Sequence, residues 1–200
     1  MREITKLKFK ELTKSTWNDF EKLFGERGAC GGCWCMYWRL RKKDFEAQKG
    51  ESNKVVMKDL VEQKEMIGLI AYLNKEPIGW CSVAPRENFI RLANSRVLKP
   101  VDDKPVWSIV CFFIDKEYRK QGYSVELLKG VIEFCQKLSE AQSRSAGKEA
   151  VILEGYPTEP YNENIPPAFA WTGLPSAFIK AGFKEIARRS KARPIMRYYL

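Results

Sequence analysis

The sequence predicts a mixed α/β fold of the α+β type, with a central, mostly antiparallel sheet, one parallel strand pair and helices on both faces. Two observations carry this prediction. Apolar runs at 66–73 and 77–83, separated by three polar residues, indicate an antiparallel hairpin. Between 106 and 153 a buried strand, an amphipathic helix and another strand follow one another, and the right-handed crossover rule makes those two strands parallel.

The N-terminal part, 1–65, is predicted to be helical and rich in cysteine. Aromatic and leucine side chains recur at helical spacing within 15–24, which indicates a short amphipathic helix. Residues 25–38 concentrate glycine, cysteine and aromatic residues, a composition typical of an irregular packed segment. The charged stretch 39–65 carries a modest apolar stripe and is interpreted as a solvent-exposed helix.

The part 66–200 is predicted to form the core of the fold. After a polar connection, the run 106–114 is dense in β-branched and aromatic residues and should form the central strand. Apolar residues recur on one helix face from Ser124 onward, and a further strand begins at Ala150. A long aromatic and proline-rich loop over 155–175 follows, of a length that is often functional.

The chain ends with a predicted short helix and two predicted strands. Pro175 stands in the first turn of that helix and Gly182 lies just past its end, as is usual at these positions. Residues 183–199 then alternate as a final strand pair. Because 200 residues suit one sizeable core, we expect a single domain spanning 1–200.

Composition limits the functional classes. No apolar run approaches the ~18 residues of a membrane span, and no apolar signal core precedes the domain, so we expect a soluble, cytoplasmic protein without a membrane partner. The 35 lysines and arginines against 25 acidic residues give a net charge of +10. This charge is spread along the chain outside any nucleic-acid motif, which favours a solvated basic face over a nucleic-acid partner. Nothing in the sequence indicates the oligomeric state.

The chain has six cysteines and no histidine. A histidine-based triad is therefore excluded, and proton transfer must rely on carboxylate, tyrosine, cysteine, lysine or water. Cys30, Cys33 and Cys35 cluster, but structural zinc normally takes four ligands and no second pair follows, so we expect no metal. Free packed thiols, or thiols lining an acceptor pocket, are the favoured interpretation, and a redox or metal-binding role is the alternative.

The junction between the central strand and the following helix carries the clearest functional signal. It contains Arg119-Lys120-Gln121-Gly122-Tyr123-Ser124. Unpaired N–H groups at the helix start, a glycine that admits close approach and two cationic side chains suit a phosphate or pyrophosphate.

This segment resembles the coenzyme A loop of the GNAT superfamily of N-acetyltransferases, which reads Arg or Gln, two residues, Gly, one residue, then Gly or Ala; Ser124 replaces the final small residue. The order of elements from 66 to 199 and the late Ala181-Gly182-Phe183 match that superfamily as well. The resemblance implies a three-layer α-β-α fold in which the parallel strand pair splays to admit the pantetheine arm. It also implies backbone pairing at Phe112 and Ile114, with an oxyanion donor near Phe113 or Ile114.

The implied function is N-acetyl (acyl) transfer from acetyl-CoA to an amine by direct attack, without a protein nucleophile or a metal. The predicted cofactor contacts are Phe112, Phe113, Ile114, Arg119, Lys120, Gln121, Gly122, Tyr123 and Ser124. Glu154, near the end of its strand, is the candidate base. The tyrosine that often protonates the leaving thiolate is replaced by Phe178, so Tyr156, Tyr161 or solvent is the substitute. A non-catalytic acyl-CoA sensor is the alternative function, and the identity of the acceptor stays open.

Overall fold

The computed structural model describes residues 7–146, 152–161, 166 and 169–200. In the described part of the chain, seven strands form one sheet in the order β1-β2-β3-β4-β5-β7-β6. The strands are β1 (Lys8–Glu11), β2 (Gly68–Leu73), β3 (Glu76–Pro85), β4 (Val106–Ile114), β5 (Ile152–Gly155), β6 (Lys184–Arg188) and β7 (Pro194–Tyr199). The helices are α1 (Trp17–Phe24), α2 (Lys42–Ala47), α3 (Glu51–Glu62), α4 (Ile90–Ala93), α5 (Tyr123–Ala146) and α6 (Pro175–Lys180).

The sheet topology confirms the predicted fold class. Neighbouring strands are antiparallel except for β4 and β5, which run parallel. The run that was expected to be central forms β4, the fourth of the seven strands in the sheet order. Its apolar side chains on both faces explain this position, because a central strand of a covered sheet is buried on both sides.

Helices cover both faces of the sheet and create two apolar cores. One core contains α1, the irregular segment 25–38 and the faces of α2 and α3. The other packs α5 and α6 against the opposite face, with Leu127, Leu128 and Val131 of α5 almost fully buried. This two-sided burial is the three-layer arrangement that the resemblance implied.

Some elements differ from their predicted form. The charged stretch 39–65 forms two helices, because Gly50 adopts φ +89° between α2 and α3, a conformation that interrupts a helix. Strand β1 and the short helix α4 had no clear sequence signal. The start of the strand predicted from Ala150 lies outside the described residues, and β5 is described from Ile152.

Candidate active site

Strands β4 and β5 are paired at one end and apart at the other. Their parallel register runs from Val106 opposite Ile152 to Ile109 opposite Gly155, and β4 continues to Ile114 paired only with β3. A cavity of about 380 Å³ lies at the divergence, and we call it the strand-gap cavity. Its walls are Ala29, Cys30, Phe112, Phe113, Ile114, Arg119, Ser124, Leu128, Ala170, Trp171, Gly173, Leu174, Ala177 and Phe178.

A tight turn links β4 to α5 beside this cavity. The Asp115 carboxylate accepts a hydrogen bond from the Glu117 N–H at 2.9 Å, which fixes the start of the turn. Gly122 has φ +85°, where a side chain is strained, and its carbonyl accepts the Val125 N–H at 3.0 Å. The helix therefore begins at Tyr123, and the N–H groups of its first turn have no partner within the helix.

The predicted cofactor contacts fall into two groups. Those on the cavity wall are Phe112, Phe113, Ile114, Arg119 and Ser124. The others, Lys120, Gln121, Gly122 and Tyr123, form the turn and the helix start. The structure thus brings the predicted residues to one side of the divergence, although their contact with a cofactor stays a prediction.

Two backbone groups expected to pair with a pantetheine arm already have protein partners. The Phe112 N–H donates to the Trp171 carbonyl at 2.6 Å, and the Ile114 carbonyl accepts from Arg119 Nε at 2.8 Å. The pairing of β3 with β4 skips one residue, because Ser82 lies opposite Cys111 and Val83 opposite Ile109. This bulge leaves Val110 as the extra residue and changes which backbone groups face the gap.

A second cavity of about 350 Å³ adjoins the first and shares Phe112, Phe113, Trp171, Ala29 and Cys30 with it. We call it the aromatic cavity. The rest of its wall consists of Phe24, Gly31, Cys33, Cys35, Tyr37, Trp38, Phe45, Glu46, Lys49 and Cys111. The sequence singled out the segment 25–38, but this wall also needs β4 and the loop that contains Trp171.

One buried thiol on this wall has an unusual environment. Cys35 is 4% exposed, and its Sγ accepts a hydrogen bond from Trp80 Nε1 at 3.2 Å. Burial alone raises the pKa of Cys35, but the neighbouring Cys111 thiol, the Trp80 N–H and the charge of Arg39 outweigh it and lower that pKa to about 7. The hydrogen bond to Cys35 and burial hold the pKa of Cys111 well above its usual range, so this second thiol stays protonated as a donor.

The candidate base Glu154 lies away from both cavity walls. Its side chain is 1% exposed and contacts two guanidinium groups, at 3.2 Å from Arg86 Nη1 and 2.7 Å from Arg197 Nε. Arg197 also holds Asp102 through two hydrogen bonds of 2.7 and 3.0 Å. Glu154 thus lines neither cavity, and these cations hold its carboxylate beside the paired part of β4 and β5, while its role as the base stays a prediction.

Tyr156 belongs to the same buried group. Its hydroxyl donates to Glu154 Oε1 at 2.6 Å, contacts Ser108 Oγ at 2.9 Å and accepts from Arg86 Nη1. Burial, reinforced by the charge of Glu154, raises the pKa of Tyr156 far above its usual range. Tyr156 is fully buried and lines neither cavity, so these contacts give it a structural role, while its catalytic role stays a prediction.

Phe178 occupies a wall of the strand-gap cavity from α6. Its ring packs edge-on against Phe112 and Phe183, with centroid distances of 5.7 and 5.0 Å. Phe178, which replaces the tyrosine that the resemblance implied, thus lies at the divergence and offers no hydroxyl. The alternative candidate Tyr161 is 88% exposed and is absent from both walls.

Among the residues that the structure describes, no group of three or more cysteine or carboxylate side chains could hold a metal ion. All six cysteines are free. None of the helices in the described ranges has the length and apolarity needed to cross a membrane.

A helix N-terminus that follows a glycine turn beside a strand gap is suited to an anionic group. The model of the acetyltransferase (GNAT) family matches residues 34–150. The chain therefore belongs to the GNAT family of acetyltransferases. A search of curated proteins finds no match.

Solved structures resemble this chain at low identity. A GNAT-family acetyltransferase from Streptococcus agalactiae is 9% identical, with a TM-score of 0.52 over 97% of this chain and 95% of that one. PaiA N-acetyltransferase from Thermoplasma acidophilum, in complex with coenzyme A, is 14% identical, with a TM-score of 0.49 over 97% and 99%. NAA60 from Arabidopsis thaliana, in complex with acetyl-CoA, is 12% identical, with a TM-score of 0.43 over 97% and 99%.

Proposed function

We propose that the chain is an N-acyltransferase that transfers an acetyl group from acetyl-CoA to an amine. Membership of the GNAT family supports acyl transfer in general. The observation that carries the specific proposal is the strand-gap cavity, which extends from the divergence of β4 and β5 to the start of α5. In this proposal residues 1–200 act as one domain, with 66–200 holding the donor.

The residues at the divergence fit the donor. Arg119 and the N-terminus of the 24-residue helix α5 provide positive charge for a pyrophosphate. Gly122, without a side chain, leaves backbone groups accessible beside them. The apolar side chains of Phe112, Leu128 and Phe178 would contact the uncharged pantetheine arm.

The proposed reaction is direct attack of a neutral amine on the thioester. The N–C bond forms, the C–S bond breaks, and the amine proton passes to water or a nearby group. In this proposal a backbone N–H of β4 near Phe113 or Ile114 stabilises the developing oxyanion. A thiol has a pKa of about 8.5, so the departing thiolate is a stable leaving group that solvent protonates, and Phe178 is compatible with turnover.

The test is calorimetric titration of acetyl-CoA into the wild type, Gly122→Trp and Gly122→Ala. Both variants place a side chain on a backbone with φ +85°, but only the indole obstructs the loop, so Gly122→Ala is the matched control for strain. We expect Gly122→Trp to bind at least about 100-fold more weakly than Gly122→Ala, a difference of about 2.7 kcal/mol.

Catalysis is measured separately, by mass spectrometry of the acetylated amine. Binding of acetyl-CoA without an acetylated product from any amine would instead support the sensor function. A folded wild type that binds neither acetyl-CoA nor longer acyl-CoA would contradict the proposal as a whole.

A further inference from the structure

We infer that the aromatic cavity is the acceptor site and that the acceptor is a monoamine with an apolar, aromatic body. The inference rests on the proposed function, because it names the substrate class of the same site. The cavity shares walls with the strand-gap cavity, so an amine bound in it lies next to the place where the thioester would end.

The first argument is the shape and rigidity of the wall. The ring of Tyr37 contacts Trp38, Phe45 and Trp171 edge-on, with centroid distances of 5.3, 5.4 and 5.0 Å. Such edge contacts fix ring orientations and leave apolar faces towards a ligand. A preformed apolar pocket of a few hundred Å³ is typical of small-molecule sites. The wall therefore fits a compact apolar body better than a sugar or a peptide backbone.

The second argument is charge. Among the described residues of the wall, Glu46 supplies the one carboxylate, which pairs with Lys49 at 2.5 Å. The ionisable Cys35 thiol on the same wall lies in the field of the Arg39 cation. The Arg91 guanidinium stacks on the outer side of the same cluster, 3.9 Å from the Tyr37 ring centroid. Together with the net charge of +10, this disfavours an acceptor with several positive charges, such as a polyamine, an aminosugar or a lysine-rich peptide.

The apolar wall also assists the chemistry. Attack requires a neutral amine, and removal of an ammonium group from water lowers its pKa. A monoamine drawn into the aromatic cavity thus loses its proton more easily than in solution. This effect suits a site whose predicted carboxylate base, Glu154, is held elsewhere by two arginines.

The experiment compares amines of three kinds with saturating acetyl-CoA. The panel contains 2-phenylethylamine and tryptamine, the small hydrophilic ethanolamine, and the polycations spermidine and kanamycin. The acetylated product is quantified by mass spectrometry, because the six free cysteines would interfere with thiol reagents. We expect kcat/KM for the arylalkylamines to exceed that of the other amines at least tenfold. Equal or better use of ethanolamine or a polycation would overturn the inference.

Binding gives a readout that does not depend on turnover. Trp38 and Trp171 line the cavity, so occupancy should change the intrinsic fluorescence. We expect saturable quenching by 2-phenylethylamine and none by ethanolamine at the same concentrations. If acetyl-CoA fails to bind while this quenching is present, the proposed function fails and the ligand class stands. If acetyl-CoA binds and the arylalkylamines neither quench nor react, the inference fails.

Two variants test the wall directly. Phe45→Leu shortens one side of the cavity conservatively and should raise KM for the amine several-fold, with KM for acetyl-CoA unchanged. Lys49→Glu places a second carboxylate beside Glu46 and should shift the preference towards spermidine at least about threefold. Lys137→Glu, on the exposed side of α5 across the sheet, changes the net charge equally and should leave the preference unaltered. A shift of equal size in both charge variants would overturn the charge argument.

Discussion

The two ends of the β4–β5 pair differ in how many polar side chains they contain and in whether those side chains are paired. At the paired end, the Glu154 carboxylate is enclosed by two arginines and a tyrosine, and it lines neither cavity. At the open end the strands part, and the walls are apolar apart from Arg119, Ser124 and the Cys30 thiol. The comparison teaches that the position of a carboxylate at a strand end does not decide its contacts, because the surrounding cations determine where its side chain points.

The largest effect should follow from Glu154→Gln at the paired end. The change removes the anion that Arg86 and Arg197 share and leaves Arg197 with Asp102 alone; breaking a buried ion pair from one side costs about 3–5 kcal/mol. Urea unfolding should show this loss, whereas Glu62→Gln on the exposed face of α3 should shift stability by less than about 0.5 kcal/mol.

The same variant also distinguishes a structural role from a catalytic one. We expect folded Glu154→Gln to keep kcat within about tenfold of the wild type, since loss of a general base typically reduces rates by about 10²–10⁴. If kcat of the stable variant falls by about 10² or more, Glu154 is the base, and the contrast between the two ends disappears.

At the open end, Ser124→Glu should weaken binding without weakening the fold. A carboxylate in the first turn of α5 favours the helix, but it repels an anionic ligand at the same terminus. Calorimetry should show acetyl-CoA binding about tenfold weaker, or about 1.4 kcal/mol, with an unchanged thermal midpoint. Ser124→Ala serves as the control and should bind nearly as the wild type. Full affinity in Ser124→Glu would mean that the phosphates lie elsewhere.

Cys35 offers a further contrast, because the wall of the aromatic cavity holds an ionisable thiol where the paired end holds a carboxylate. Its pKa of about 7 predicts an increase in thiolate absorbance near 240 nm as the pH rises through 7, and Cys35→Ser should remove this step. Because the folded pKa lies below the ordinary value of 9.0, the thiolate contributes stability that is fully present above pH 9 and lost as the pH falls through 7. Cys135→Ser should leave the step unchanged, since burial raises the pKa of Cys135 to about 12.

The smallest effect should come from Asp102→Asn at the rim of the paired end. Asp102 is 38% exposed, so solvent screens its pair with Arg197, and the loss at pH 7 should be about 0.5–1 kcal/mol. The hydrogen bonds from Arg197 lower the pKa of Asp102 below its ordinary 3.8. The ion pair therefore stabilises the fold fully above pH 3.8, and this stabilisation is lost as the pH falls through the lowered pKa. The stability difference between variant and wild type, measured by urea unfolding, should therefore shrink below pH 3.8; a constant difference would contradict the pairing.

The sequence was most informative where local chemistry determines structure. The apolar density of 106–114 and the helical periodicity after Ser124 placed β4 and the start of α5 almost to the residue, and Gly122 marked the turn between them. The helix continues to Ala146, beyond the end of the apolar periodicity. The direction of the Glu154 side chain could not be predicted, because its partners Arg86 and Arg197 are distant in the sequence.

The aromatic cavity was beyond sequence reasoning for a related reason. Its walls combine residues from 24–49, β4 and Trp171. The segment 25–38 within the first range shows neither helical nor strand periodicity in its apolar residues. Trp34 and Cys35 adopt positive φ values of 41° and 62°, conformations that no periodicity or turn rule assigns to these residue types. Only the fold brings the thiols and rings of this segment to the bulge of β4.

Trp171 contributes to the walls of both cavities, and its carbonyl holds the Phe112 N–H at 2.6 Å. If the donor arm accepted a hydrogen bond from the Phe112 N–H, it would replace the Trp171 carbonyl as the acceptor, and Trp171 would have to shift. The occupancy of one cavity is thereby linked to the shape of the other, and such linkage is reciprocal. Donor and acceptor affinities should therefore be cooperative, with a sign set by whether the shifted Trp171 opens or closes the aromatic cavity.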